Sequence, residues 1–132
     1  MPPAELQLWQ RLAILAAFGA AGTISRYFVH LIIQRLQGTQ FPWGTFAVNA
    51  LGCLAFGIVW GLAEHRAMVG PQTRLFLLVG FMGAFTTFSS YAFETAQLLE
   101  SGRWLWAGGN LLLQNIVGIS LVLAGIALGK LF

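Results

Sequence analysis

The sequence predicts an all-α integral membrane protein of four transmembrane helices, the third broken mid-membrane. Three observations carry that reading. First, 58% of the 132 residues are hydrophobic and 8% charged, whereas roughly a quarter of an average soluble chain is charged. Mean hydropathy is +0.76. Seven basic and four acidic side chains cannot cover a soluble domain of this size, so the apolar excess faces lipid or other helices. Second, the apolar residues fall into four runs, from about Leu12 to Ile33, Thr45 to Ala63, Leu75 to Leu99 and Leu105 to Leu128. Each is near the ~20 residues that cross ~30 Å of hydrocarbon. Third, one of those runs has the wrong composition for a continuous helix.

The connectors between runs are short and polar: Gln34 to Phe41, Glu64 to Arg74, and Glu100 to Arg103. Trp9, Trp43, Trp60, Trp104 and Trp106 fall near run ends, where amphipathic rings prefer the headgroup region. Nothing is left over for a second domain. The stretch from Leu12 to Phe18 has the look of a signal-peptide core, but Glu5 precedes it where such leaders are normally positive. Net charge is +3 and the pI about 9.8. The basic residues are scattered singly, so no patch for nucleic acid forms. Cys53 is the one cysteine, which excludes an intrachain disulfide and a cysteine metal cluster. No nucleophile–base pair stands out, and the chain does not read as an enzyme.

The loop charges address topology. Arg11, Arg66, Arg74 and Lys130 share one side, against Arg35 and Arg103 with Arg26 close by on the other. That bias is weak for a positive-inside rule, and a chain that inserts both ways can build an antiparallel homodimer with the symmetry other transporters draw from inverted repeats. Glycines recur at near-helical spacing. Gly57–Gly61 and Gly125–Gly129 are both GxxxG, a pattern that lets helix backbones approach closely. Ordinary packing accounts for most of them.

The third run differs. It contains Gly80-Phe-Met-Gly83-Ala-Phe-Thr86-Thr87-Phe88-Ser89-Ser90-Tyr91-Ala-Phe93-Glu94. Glycine costs about 1 kcal/mol relative to alanine in a helix, and serine and threonine less. In lipid a freed carbonyl must find a partner, and a broken helix is a known device for presenting carbonyls to an ion. The alternative is a helix whose hydroxyls bond back to their own carbonyls. Other polar groups inside the runs are Asn49, Asn110, Gln114, Asn115 and Ser120, with Arg26, His30 and Glu94 near run ends. Ionisable groups there are functional candidates, and Arg26 and Glu94 read equally as interfacial anchors or a structural pair. The two histidines, His30 and His65, read as interfacial. No acidic side chain lies mid-run, so the lining donors are neutral amides and hydroxyls, which favours an anion.

Gly19-Ala-Ala-Gly22 followed by Arg26-Tyr27, Pro42-Trp-Gly44-Thr45-Phe-Ala-Val-Asn49-Ala-Leu-Gly52, and Gly80-Phe-Met-Gly83-Ala-Phe-Thr86-Thr87-Phe88-Ser89 resemble the signatures of the Fluc (CrcB) fluoride channels. The resemblance covers the whole chain. It implies a multi-pass protein of the cell membrane (the inner membrane in a Gram-negative cell), embedded in lipid and assembled as an antiparallel, dual-topology homodimer. Such a dimer has two pores for passive fluoride export and a structural sodium ion at its centre. The resemblance further implies that backbone carbonyls of Gly83 and Thr86 from both copies hold sodium. Asn49 would donate to fluoride, and Phe88 would offer ring edges. Thr87, Ser89 and Ser90 would supply hydroxyls, with Asn110 and Gln114 on the facing fourth helix and Arg26 and Glu94 near the pore mouths. Tyr91 stands where the family usually has phenylalanine, and Gln114 where it usually has serine. A small multidrug antiporter needs a carboxylate in its first membrane helix, and the first run here has none. A non-transporting accessory subunit is the interaction-protein alternative.

Overall fold

A segment inside lipid must satisfy its backbone hydrogen bonds within itself, and the four apolar runs accordingly become helices. The computed structural model describes residues 6–65 and 69–132. Glu5 and Arg66, used above for the leader and the charge bias, lie outside the described residues. In chain order the elements are α1 (Leu8–Gln37), α2 (Trp43–His65), α3 (Pro71–Leu75), a π-helical stretch (Phe76–Met82), α4 (Gly83–Phe85), α5 (Phe88–Glu100) and α6 (Trp104–Leu131). There is no strand among the described residues. Four stretches, Leu8–Gln37, Trp43–His65, Pro71–Glu100 and Trp104–Leu131, are long and apolar enough to cross a membrane. The chain is a multi-pass membrane protein.

These spans run a few residues past the apolar runs, because capping rather than hydrophobicity decides where a helix stops. Before α1, the Gln7 amide donates to the Gln10 side chain at 2.9 Å. After α1, Gly38 adopts φ +81°, a left-handed value that glycine tolerates without steric cost, and its N–H closes on the Gln34 carbonyl.

The third span changes geometry twice. Across Phe76–Met82 it is π-helical, so the Gly83 N–H reaches the carbonyl of Leu78, five residues back. After the short α4 turn, Thr86 (φ −81°, ψ 159°) and Thr87 (φ −150°, ψ 109°) are extended. Helix resumes at Phe88 because Thr87 is its N-cap, accepting the Ser90 N–H on its hydroxyl at 3.2 Å. The π-helical stretch had no counterpart in the sequence reading.

Packing is dominated by parallel pairs of alternate helices. The two GxxxG motifs face one another. A Cβ on Gly57 would stand 3.0 Å from the Gly125 Cα, and one on Gly61 3.0 Å from the Gly129 Cα. α1 pairs with the third span in the same way, where a Cβ on Gly22 would strike the Phe81 carbonyl and one on Gly80 the Phe18 Cβ. Of the most apolar window in α1 or α6 only 6% is buried, against 22% for each of the other two spans. The core therefore lies along α2 and the third span. Leu12, Ile24, Phe28 and Ile32 of α1, and Leu112, Ile116, Ile119 and Leu123 of α6, face outward.

The glycine contact between α2 and α6 is testable. Gly57→Leu or Gly125→Leu should cost about 1–3 kcal/mol or more, the usual range for overpacking a tight contact, and lower the thermal unfolding midpoint in detergent. Gly108 on α6 has nothing within 4 Å of an added Cβ, so Gly108→Ala should leave that midpoint unchanged or raise it.

Candidate functional site

Asn49, in the second turn of α2, grips the extended pair of the third span. Its Oδ1 accepts the Thr87 N–H at 2.8 Å, and its Nδ2 donates to the Thr87 carbonyl at 3.1 Å. One side chain thus satisfies both peptide groups of a residue outside the helix, and the two bonds together fix which way the amide points. Gly52, one turn along α2, makes room for this approach, since a Cβ there would collide with the Thr86 methyl.

The second Nδ2 hydrogen of Asn49 goes to Gln114 Oε1 on α6 at 3.2 Å. From there the bonds continue in one direction: Gln114 Nε2 to Asn110 Oδ1 at 3.5 Å, Asn110 Nδ2 to Thr95 Oγ1 at 2.9 Å, and Thr95 Oγ1 to the Tyr91 carbonyl at 2.8 Å. The ladder starts at Thr87, just ahead of α5, crosses α2 and α6, and returns to α5 at Tyr91. Asn110 is 0% exposed and stands behind the groove wall rather than on it. Thr95 was not singled out from the sequence. Its spacing was the available signal, for Thr87, Tyr91 and Thr95 recur every four residues, as Asn110 and Gln114 do on the facing helix.

Two grooves flank the extended pair and share Thr87. One, about 330 Å³, is lined by Asn49, Thr86, Phe88, Tyr91, Gln114 and Asn115 among others. Phe88 is 77% exposed and meets Tyr91 edge-on, with ring centroids 5.4 Å apart. The Tyr91 hydroxyl accepts from Asn115 Nδ2 at 3.1 Å, so the phenol has a partner in this chain. The other groove, about 320 Å³, is lined by Arg26, His30, Thr45, Thr87 and Ser90 among others. Thr87 Oγ1 lies 3.0 Å from Ser90 Oγ and 3.4 Å from Ser89 Oγ, a cluster of hydroxyls at the head of α5.

Arg26 and Glu94 are not a pair: no ion pair joins them, and they line different cavities. Glu94 takes the Thr45 hydroxyl on Oε1 at 2.7 Å, while its buried Oε2 has no hydrogen-bond partner among the described residues. Glu94 lines a third cavity of about 320 Å³ with His30, Gln34 and Arg103. That cavity lies at the loop end of the bundle, where Arg103 also bonds the Gln40 carbonyl.

Gly83 and Thr86 have one property in common. In an unbroken helix the Thr87 N–H would close on the Gly83 carbonyl and the Ser90 N–H on that of Thr86. Here the first amide donates to Asn49 and the second to the Thr87 hydroxyl.

Four apolar spans around a seam of neutral amides, hydroxyls and ring edges define a small multi-pass membrane protein with a polar path between its helices. The chain belongs to the CrcB family. The family model described as "CrcB-like protein, Camphor Resistance (CrcB)" matches residues 13–126. Curated relatives carry the name fluoride-specific ion channel FluC. The one from Nitrosococcus oceani is 47% identical over 124 residues, spanning 94% of this chain and 99% of its own. That from Maridesulfovibrio salexigens is 50% identical, spanning 89% and 93%, and that from Nitratidesulfovibrio vulgaris (strain Miyazaki F) 48%, spanning 92% and 98%. The family assignment made from the glycine, asparagine and threonine motifs is borne out, and the family is one of ion channels rather than enzymes.

Asn49→Ala should strip both Thr87 peptide groups of their partner, at about 1–3 kcal/mol for each group left unsatisfied. The unfolding midpoint should fall, and the Thr87 amide should exchange with solvent faster. Ser89→Ala, at an exposed hydroxyl, should change neither.

Proposed function

We propose that the chain is a fluoride-selective passive channel of the cell membrane that exports fluoride from the cytoplasm, working as an antiparallel dual-topology homodimer with two pores. The observation that carries the fluoride-channel reading is the name borne by relatives at 46–50% identity over about nine-tenths of the chain. The chemistry of the grooves agrees with it. Fluoride is small and a strong hydrogen-bond acceptor, so shedding its water requires donors along a narrow path. Conduction also requires binding weak enough to release, and neutral donors meet both needs where a buried cation would trap the ion. In this reading Asn49 and Gln114 donate amide hydrogens, and Thr87, Ser89 and Ser90 donate hydroxyls. Phe88 and Tyr91 present ring edges, the positive part of the aromatic quadrupole. Asn110 supports the donors from behind, and Arg26 and Glu94 set the field at the mouths.

The homodimer places the extended Thr86–Thr87 pair at mid-membrane, where two copies cross. A structural sodium ion fits there. A hard cation takes oxygen ligands, and the Gly83 and Thr86 carbonyls are among those that lose their helical donors at the break. Bound sodium would supply a fixed positive charge between the two pathways. Room at Gly83 also favours a neighbouring copy, since Gly83 is exposed and the closest atom of its own chain to an added Cβ is the Leu78 carbonyl at 3.8 Å.

Proteoliposomes loaded with potassium fluoride should release it to a fluoride electrode once valinomycin carries the counter-charge, and chloride-loaded ones should release little chloride. Fluoride efflux no faster than from protein-free liposomes would falsify the assignment. Gly83→Val fits the single chain, so it should leave the helices folded yet abolish dimer formation and flux, whereas Thr86→Ser should be mild. Replacing sodium by N-methylglucamine should lower the dimer's unfolding midpoint, as loss of a ligand bound only to the native state must. A midpoint indifferent to sodium would remove the ion from the picture.

A further inference from the structure

The ladder from Thr87 to Tyr91 leaves Asn49 with no free hydrogen. Its two N–H groups are committed to the Thr87 carbonyl and to Gln114 Oε1, and a primary amide has only two. An anion arriving at Asn49 therefore meets Gln114 as a competing acceptor. The geometry points to a second arrangement of the same side chains. In it Gln114 and Asn110 turn their amides over together, the Thr95 hydroxyl swings round, and the anion sits between Asn49 Nδ2 and Gln114 Nε2. This rests on the fluoride-channel reading and adds a switching element behind the pore.

Each change follows from the one before. With an anion at Asn49, the Gln114 oxygen is repelled, and turning the amide over replaces it with a second donor. Gln114 Oε1 then faces Asn110 Oδ1, two acceptors together, so Asn110 must turn as well and offer its Nδ2. That leaves Asn110 Oδ1 against Thr95 Oγ1. A hydroxyl both donates and accepts, so Thr95 stops donating to the Tyr91 carbonyl and donates to Asn110. The Tyr91 carbonyl keeps its main-chain bond inside α5 (Phe88–Glu100). Every amide in the ladder is satisfied in both directions, and an amide turned over occupies almost the same volume. No change of packing is needed around Asn110, which is fully buried.

Space is available where it is needed. Two nitrogens bonded to one ion stand up to roughly 5–6 Å apart, whereas Asn49 Nδ2 and Gln114 Oε1 are 3.2 Å apart without it. Gln114 is long enough to draw back, and the adjoining groove of about 330 Å³ is open beside it. Asn110 and Thr95 are positioning residues in this scheme. They do not touch the ion but decide whether Gln114 presents an oxygen or a nitrogen.

Two measurements test the switch. Gln114→Met keeps the bulk and removes both the oxygen and the nitrogen, so fluoride affinity should fall about tenfold or more, the usual cost of one hydrogen bond to a charged group. A rise in affinity would mean that Gln114 only competes, and no change that it only packs; either overturns the proposal. The second measurement uses the unaltered protein. Side-chain amide signals in its nitrogen NMR spectrum, with Asn110 assigned by their loss in Asn110→Leu, should shift for Asn49, Gln114 and Asn110 together as sodium fluoride replaces sodium chloride. Movement of Asn49 and Gln114 with Asn110 fixed overturns the switch and leaves the channel reading standing. No movement of any of the three, in a protein that passes no fluoride, overturns both.

Discussion

A backbone that leaves the helix inside an apolar segment must find partners for the peptide groups it releases, and here one asparagine supplies them. The Asn49–Thr87 clamp holds an extended pair between α4 and α5 at a depth where water is scarce and an unpaired amide is costly. Much of the remaining structure follows from it. Gly52 is bare so that Thr86 can approach α2. Thr87 caps the new helix with its hydroxyl, and Gln114 anchors the clamp's spare hydrogen. The grooves meet at Thr87 because that is where the chain stops filling space as a cylinder.

The groups hydrogen-bonded to Asn49 in the clamp are all neutral. A guanidinium or carboxylate beside Thr87 would interact far more strongly with an ion than an amide does, and would hold or repel it accordingly. The charged side chains nearby do other things: Arg26 lines the second groove, and Glu94 bonds Thr45 beside the loop-end cavity. The seam trades depth of binding for number of contacts, and aligned amides polarise one another so that each donor is stronger than it would be alone.

Helix number, span and class were legible in the sequence because hydrophobic length is a local property, written in runs such as Leu105 to Leu128. The poor helical character of Gly80 to Ser90 was legible for the same reason. The position at which the backbone turns extended was not, since it depends on Asn49, 38 residues away. The π-helical turn at Phe76–Met82 carries no compositional mark. It lies where Gly22 and Gly19 of α1 pack against Phe81 and Gly80. Asn49, Gln114 and Asn110 could be named from the sequence as polar groups in apolar surroundings. Their order in a directed ladder, and the place of Thr95 within it, required the three helices to be laid side by side. Tyr91 looked from the sequence like a change in groove chemistry, and the structure adds that its hydroxyl accepts a hydrogen bond from Asn115.

The parallel pairing of α2 with α6 bears on how the chain is made. The contact of Gly57 and Gly61 with Gly125 and Gly129 joins two spans that a whole further span, Pro71–Glu100, separates along the chain. Throughout synthesis of the third span, the glycine face of α2 waits in the bilayer without its partner. Docking of α6 onto that face can only follow synthesis of the third span. Membrane insertion and tertiary assembly are thereby separated in time, and a chain cut short before α6 leaves the spare Asn49 hydrogen without Gln114 and Gly57 without its facing glycine.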